Sequence, residues 1–268
     1  MSATTDALLN LLAGTVRGWR GTTAFSPPER RPGTLLKLYD IEASPYCRLV
    51  REVMTELDLD ALVLPCPAGG TRFRPEAEAI GGKQLFPFLV DDDTGTHLYE
   101  SADIVDYLES TYGRRSAAAR GWRRSVAVGT SYASSALMWR AGSGIIGMTA
   151  QAPKGMTAQP SKAPEQPLEL YSFESSPYSK RVRARLCELE LPYVLRNTGK
   201  GAWSDMGPPS FRDSLFRGPM ETSRNRRWLA EHTGRVQVPY LRDPNTGTEM
   251  YESDAILAHL DRTYAPPR

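Results

Sequence analysis

Two short stretches of this chain place a serine and a proline at the start of a predicted helix, one from Ser44 to Cys47 and one from Ser176 to Ser179. A serine followed by a proline is first of all a good helix start, because the hydroxyl caps free amides and proline suits the first helical position. The same place can also do chemistry. Unpaired amides at a helix N-terminus favour negative charge and can stabilise an anion such as a thiolate. The residues that accompany the two serines decide between a purely structural helix cap and a site that binds an anion.

A proline lies downstream of each serine, at the start of a predicted strand. It is Pro87, after Phe86, in the first stretch and Pro239, after Val238, in the second. Proline lacks a backbone donor and is tolerated where a strand begins. A cis bond there would also leave the backbone of the preceding residue free to pair with a ligand. Phe86 and Val238 are therefore candidate ligand-binding residues.

The last predicted helix after each proline begins with a Glu-Ser pair. The residues are Glu100, Ser101, Glu252 and Ser253. A serine cap with open amides at a helix N-terminus is an anion site that suits a carboxylate. A cation precedes each proline by four residues, Lys83 in one stretch and Arg235 in the other. Both stretches thus combine a cap, a proline, an anion site and a cation.

These residues sit in two copies of one longer pattern. Each copy opens with a strand-like run, at 35–39 and 168–172, followed by the Ser-Pro helix. A second matching block follows at 81–112 and at 233–264. The spacing from the proline to the glutamate is 13 positions in both blocks. Two separated blocks that recur in the same order indicate an internal duplication.

Each copy reads as strand, helix, strand, short helix, a hairpin of two strands, and a final helix. This βαβ-ββα order is that of a thioredoxin-like domain. We therefore predict an α/β chain of two tandem thioredoxin-like domains, with extra helices before the first and between the two. The predicted boundaries are an N-terminal helical extension over 1–33, domain 1 over 34–113, a helical connector and linker over 114–166, and domain 2 over 167–268.

Composition narrows the classes of partner. The 268-residue chain is 40% hydrophobic and 24% charged, as in globular proteins, and its net charge is +2, without the basic excess of most nucleic-acid-binding domains. It contains no apolar run long enough to span a bilayer, and its first residues do not read as a signal peptide. The three cysteines form neither a disulfide framework nor a zinc pattern, and the three histidines are scattered. We expect a cytoplasmic protein without a metal site.

The motifs Ser-Pro-Tyr, Phe-Pro or Val-Pro, and Tyr-Glu-Ser resemble the N-terminal, glutathione-binding domain of the glutathione transferases and their relatives the glutaredoxins. The resemblance covers roughly 175 of the 268 residues. In that family the residue before the cis-proline pairs with the cysteinyl part of glutathione, the Glu-Ser pair holds the γ-glutamyl end, and the start of the first helix acts on sulfur. The resemblance implies Ser44, Ser176 and Cys47 as catalytic candidates and Tyr46, Lys83, Phe86, Pro87, Glu100, Ser101, Tyr178, Arg235, Val238, Pro239, Glu252 and Ser253 as glutathione-binding candidates.

Two departures from the family pattern shape the expected activity. Glutaredoxins carry a nucleophilic cysteine where both copies here carry serine, so dithiol reduction is not expected. Serine transferases use that hydroxyl to lower the pKa of the glutathione thiol. The resemblance also implies a helical C-terminal domain that holds the electrophile. No such domain is expected here, so the pocket is either absent or built from the joining stretch, the N-terminal helix and the interface of the copies.

Three functions stay open at this point. The first is a glutathione-dependent enzyme of transferase type, with glutathione as co-substrate, an unknown electrophile or thiol as second substrate, and a homodimer as a compatible assembly. The second is a non-catalytic glutathione-binding or protein-interaction module. The third is a monothiol oxidoreductase that uses Cys47, which otherwise is a small structural side chain. Tyr46 and Tyr178 either point a hydroxyl at the site or pack against the sheet.

Overall fold

The computed structural model describes residues 21–25, 27–113, 155–206 and 218–266. The first copy contains β1 (Leu36–Asp40), α1 (Pro45–Glu56), β2 (Ala61–Pro65), α2 (Arg74–Gly81), β3 (Phe88–Asp91), β4 (Thr96–Leu98) and α3 (Ser101–Thr111). The second contains β5 (Leu168–Ser172), α4 (Pro177–Glu188), β6 (Tyr193–Asn197), a 3-10 turn (Trp203–Asp205), α5 (Arg224–Thr233), β7 (Tyr240–Asp243), β8 (Thr248–Tyr251) and α6 (Ser253–Tyr264). The predicted fold class is confirmed. The extra helices predicted in 1–33 and 114–166 fall largely outside the described residues.

Local sequence explains where the helices begin and end. Ser44 and Ser176 are the N-caps of α1 and α4, and each is followed by a proline in the first turn. The helices α2 and α5 end at Gly82 and Gly234, which adopt φ of 81° and 69°. Glycine tolerates this left-handed backbone because it has no Cβ, so it closes both helices and turns the chain toward the next strand.

All eight strands form one continuous sheet, in the order β4-β3-β1-β2-β6-β5-β7-β8. Within each copy the first two strands are parallel and the hairpin is antiparallel. The copies join where β2 pairs antiparallel with β6, with Val63 opposite Tyr193 and Ala61 opposite Leu195. This junction removes the unpaired edge that each isolated copy would expose at its second strand.

Apolar residues cover both faces of the sheet. On one face α1 and α3 pack over the first copy, around Leu38, Met54 and Leu108. The matching cluster of the second copy, under α4 and α6, also contains Val63 from β2 of the first copy. Because that cluster contains a residue of the other copy, the two copies share part of their core as well as their sheet.

A buried ion network joins the copies between α1 and α4. Arg51 of α1 donates to Glu174 of the second copy at 2.9 Å, and Arg183 of α4 contacts Glu42 of the first copy at 3.1 Å. Each arginine also reaches a residue at the end of its own first strand, Asp40 at 2.6 Å for Arg51 and the Ser172 hydroxyl at 2.8 Å for Arg183. The arginines are 1% exposed, so their charges are compensated by these partners rather than by water.

The segments that precede the two copies cross to the opposite copy. The amide of Ala24 donates to Lys200 of the second copy, and the amide of Ala158 donates to Ala68 of the first. Isolated bridges pair Thr23 with Lys200 and Ala68 with Thr157. Each segment thus adds backbone pairing beyond the second strand of its partner copy, which reinforces the junction.

Candidate functional site

Strand pairing in the first copy brings the candidate residues to one edge of the sheet. Tyr39, near the end of β1, pairs with Phe88 at the start of β3. Leu89 pairs with Leu98 at the end of β4. The serine after β1, the proline before β3 and the Glu-Ser pair after β4 therefore converge there. The second copy repeats the arrangement, with Tyr171 opposite Tyr240 and Tyr240 opposite Tyr251.

The two edges face in opposite directions. The strands β1 and β2 are parallel, β5 and β6 are parallel, and β2 and β6 are antiparallel. The strands β1 and β5 therefore run in opposite directions, and their carboxyl ends lie on opposite sides of the continuous sheet, measured along the strands. The electrophile pocket expected at the interface of the copies stays a prediction.

The two helix-start serines have the same geometry and different exposure. The Ser44 hydroxyl accepts the amide of Cys47 at 3.4 Å, and the Ser176 hydroxyl accepts that of Ser179 at 3.3 Å. Accepting with a lone pair leaves each hydroxyl proton able to donate to another atom. Ser44 is half-buried, whereas Ser176 is only 3% exposed.

Both prolines follow cis peptide bonds, at Phe86–Pro87 and Val238–Pro239. Strand pairing begins after each bond, at Phe88 in the first copy. The backbone of Phe86 therefore lies outside the β1–β3 pairing, next to the carboxyl end of β1 and the start of α1. The prediction of a cis bond is confirmed at both positions.

The Glu-Ser pairs share an unusual backbone. Glu100 and Glu252 adopt φ of 61° and 69°, a left-handed conformation that residues with a side chain rarely take. Each precedes a buried serine, Ser101 or Ser253, that begins a helix of 11 or 12 residues. The sharp bend aims the first amides of that helix toward the edge where the other candidates lie.

The cations before the prolines lie over aromatic rings. The Lys83 ammonium is 4.9 Å from the centroid of Tyr99, and the Arg235 guanidinium is 5.1 Å from that of Tyr251. These tyrosines directly precede the Glu-Ser pairs, and their hydroxyls donate to the backbone carbonyls of the same two cations. The rings therefore hold the cations beside the anion sites.

Sequence reasoning missed Arg74, at the start of α2. Its guanidinium lies 4.9 Å from the centroid of Phe86, the residue before the cis-proline, and donates to the Pro67 carbonyl at 2.7 Å. Within the described residues it forms no ion pair with a carboxylate. The residue begins a helix far from the recognisable motifs, so only the tertiary structure reveals a second cation here.

Cys47 does not suit a reactive thiol. Its side chain is fully buried, and burial, together with nearby Asp40, raises the pKa of the thiol. A thiolate is the reactive form, so this environment keeps Cys47 inert. These observations argue against a Cys47-based oxidoreductase. Cys66 and Cys187 are also buried and unpaired, and burial raises the pKa of both.

The tyrosines of the motif are exposed. Tyr46 is 41% exposed and Tyr178 is 59% exposed, so neither ring packs into the sheet as one of the two expectations held. Among the described residues no group of histidine, cysteine and carboxylate side chains could hold a metal ion. None of the described helices has the length and apolar character needed to cross a bilayer.

Comparison with known proteins places the chain in a family. A family model described as the N-terminal domain of glutathione S-transferase matches it twice, over residues 38–116 and 170–268. These segments make up more than half of the chain and coincide with the two copies. The chain belongs to the glutathione S-transferase N-terminal domain family. Its duplicated form of that domain places two copies of the family's motifs in one polypeptide.

Solved structures of two glutathione transferases are similar to parts of this chain. Bombyx mori BmGSTD1 is 32% identical over 32% of this chain and 39% of its own length, with a TM-score of 0.27. Leishmania TDR1, a trimeric glutathione transferase, is 15% identical over 85% of this chain and 68% of its own, also with a TM-score of 0.27. The match therefore spans well under half of the silkworm protein. No curated protein sequence compared with the chain matches it.

Proposed function

We propose that this protein binds glutathione and activates its thiol, as a glutathione transferase does, at a Ser-Pro-Tyr helix start. The observation that carries the proposal is the convergence, at one sheet edge of each copy, of a capping serine, a cis-proline and a Glu-Ser pair. Membership of the glutathione S-transferase N-terminal domain family supports glutathione as the ligand. The buried, unpaired cysteines agree with a reducing, cytoplasmic setting.

The peptide would be bound as an extended chain across this edge. In the first copy the backbone of Phe86 would pair with the cysteinyl residue. The γ-glutamyl carboxylate would accept from Ser101 and the first amides of α3, and its ammonium would meet the Glu100 carboxylate. Lys83 and Arg74 would face the glycyl carboxylate. The corresponding residues of the second copy are Val238, Ser253, Glu252 and Arg235.

Ser44 or Ser176 would then ionise the thiol. The serine hydroxyl donates its proton in a hydrogen bond to the sulfur while its oxygen keeps the helix amide. Together with the other free amides of the helix start, this favours the thiolate, and the thiol proton leaves to water. The thiolate uses a sulfur lone pair to form a bond to an electrophilic atom of the second substrate. The displaced group leaves with the electron pair of the broken bond.

Titration of the bound thiol tests the proposal. The ultraviolet absorbance of the thiolate is followed against pH with glutathione alone, with the protein, and with the Ser44→Ala and Ser176→Ala variants. We expect the protein to lower the thiol pKa by about one unit or more, as helix N-termini do for cysteine, and at least one serine variant to reverse the shift.

Two other outcomes would change the conclusion. Binding with an unshifted thiol pKa would indicate the non-catalytic glutathione-binding module instead. Absence of binding at millimolar glutathione would exclude both glutathione functions and favour a protein-interaction role for the fold.

A further inference from the structure

The same functional positions have different partners in the two copies, as a comparison of equivalent residues shows. The equivalences follow from the repeat, with Ser44 matching Ser176 and Pro87 matching Pro239. In the second copy each anion or cation site is already bound by a neighbouring side chain. In the first copy the matching partner is replaced by an apolar residue or is missing.

The first difference concerns the serine of the Glu-Ser pair. In the second copy Arg181 donates to the Ser253 hydroxyl at 3.3 Å and to the Asp254 carboxylate at 2.6 Å. The matching residues of the first copy are Leu49 and Ala102. The anion site of the second copy thus already holds a guanidinium, and a carboxylate stands at its rim where it repels an incoming anion. The first copy has neither group at these positions, and the acidic residue in the first turn of its helix, Asp103, lies one position further on.

The second difference concerns the glutamate of the pair. The Glu252 carboxylate accepts the amide of Gln237 at 2.8 Å, and Gln237 in turn accepts from Arg235 at 2.8 Å. Leu85 stands in the place of Gln237 in the first copy, where it is 41% exposed. Within the described part of the chain, the Glu100 side chain accepts no hydrogen bond, so its carboxylate remains available to an ammonium.

The third difference concerns an arginine in the first turn of the short helix. Arg226 of the second copy is buried and pairs with Asp205 at 2.8 Å, in the stretch by which that copy is longer. It also donates to the Met220 carbonyl at 2.7 Å. Its counterpart Arg74 has no carboxylate partner among the described residues and lies beside Phe86. The guanidinium of Arg226 therefore stabilises the fold of the second copy, whereas that of Arg74 lies at the site of the first copy.

The helix-start serines differ in the same direction. Ser176 is buried, and its neighbour Ser175 shares a hydrogen bond with Thr22 of the crossing N-terminal segment. The amide of Ser175 also donates to the Gly21 carbonyl at 3.2 Å. Ser44 is half-buried and has alanine, which offers no hydroxyl, as its preceding residue.

From these contacts we infer that the first copy alone holds the ligand, and that Arg181 and Gln237 close the equivalent site of the second copy by pairing with the side chains of Ser253 and Glu252. This inference rests on the proposed glutathione function and assigns it to Ser44, Glu100 and Ser101. A ligand that enters the second copy has to break hydrogen bonds of Ser253 and Glu252 that have no counterpart in the first copy. The second copy then serves as the packing partner that completes the sheet.

Calorimetric titration of the full chain with glutathione tests the assignment. We expect one site per chain in the parent protein. Ser101→Ala should weaken that site about tenfold or more, the usual effect of removing a hydrogen bond to a charged group. The double variant Arg181→Leu/Gln237→Leu, which gives the second copy the residues of the first, should bind a second glutathione.

A matched variant makes the reverse change in the first copy. Leu85→Gln places an amide beside Glu100 at an exposed position, so it should weaken the single site while leaving the unfolding transition in urea unchanged. Two equal sites in the parent protein, or binding that survives Ser101→Ala, would overturn the assignment and leave the glutathione function intact. Absence of heat with the parent and all variants would overturn both.

Discussion

The two copies place the same arginine in the middle of the first helix and surround it differently. Arg51 and Arg183 each bind a glutamate of the opposite copy, and in this respect the network is symmetric. Each also pairs with the glutamate of its own copy, Glu42 for Arg51 and Glu174 for Arg183, and the partners differ only at the end of the first strand, where Arg51 meets the Asp40 carboxylate and Arg183 the Ser172 hydroxyl. The contacts with both glutamates keep the symmetry of the repeat, and the difference is confined to the residue that ends each first strand.

The largest effect expected from this difference is on stability. Arg51→Ala should lower the free energy of unfolding by about 3–5 kcal/mol, the usual cost of breaking a buried ion pair by removing one partner. Arg183→Ala should cost less, because it leaves fewer carboxylates without a cation in its own copy. Urea unfolding of the two variants measures both changes. An equal or larger loss for Arg183→Ala would show that the partner within the copy does not matter.

A pH series sharpens the comparison of Asp40 with Ser172. Burial raises the pKa of Asp40 to about 6 despite its contact with Arg51, whereas an unfolded aspartate titrates near about 4. The native state thus binds this proton more tightly, so the contribution to stability is present below pH of about 4 and is lost as the pH rises through about 6.

The matching variant is Asp40→Ser, which gives the first copy the residue of the second. Relative to this variant, the free energy of unfolding of the parent protein should fall by up to about 3 kcal/mol between pH of about 4 and about 7. Against the effect of burial, Arg183 and Arg51 lower the pKa of Glu174 to about 2. That carboxylate is present in both proteins, so the difference isolates Asp40. Parallel pH profiles for the two proteins would contradict the expectation.

The smallest expected effect concerns the residue one turn into each helix. Cys47 of the first copy is buried, and the Ser179 hydroxyl at the same place in the second copy is buried without a hydrogen-bond partner in the described part of the chain. Ser179→Cys should raise the free energy of unfolding by about 1 kcal/mol, because it removes an unsatisfied buried hydroxyl. Cys47→Ser should lower it by a similar amount. Thermal or urea unfolding checks both signs, and a stabilising Cys47→Ser would refute the argument.

Much of the site could be predicted because its parts are local. Ser44 caps its helix through a residue three positions away, and Pro87 and Glu100 act where a strand or helix begins. Such features depend on backbone conformation over a few residues, which neighbouring side chains largely determine. Because of the duplication each motif occurs twice in the same order, and chance does not explain such a recurrence.

Arg74 and Arg181 could not be predicted, since both act through neighbours distant in sequence. Arg74 reaches Phe86 across the turn between a helix and a strand, and Arg181 reaches Ser253 from another helix. From the sequence alone, either arginine would be predicted to be an ordinary solvent-exposed charge on a helix. Their roles depend on how helices pack over the sheet, which side-chain pattern alone does not specify.

The sequence by itself determined the two βαβ-ββα units, the helix starts at both serines, the cis-prolines and the family, because these depend on local periodicity, turn residues and short motifs. Only the tertiary structure decided that β2 and β6 join the units into one sheet and that the carboxyl ends of β1 and β5 point in opposite directions. It also decided that Cys47 is buried and that Arg51 and Arg183 exchange partners. Those features arise from pairings across more than a hundred residues, whose register depends on the packing of the whole core.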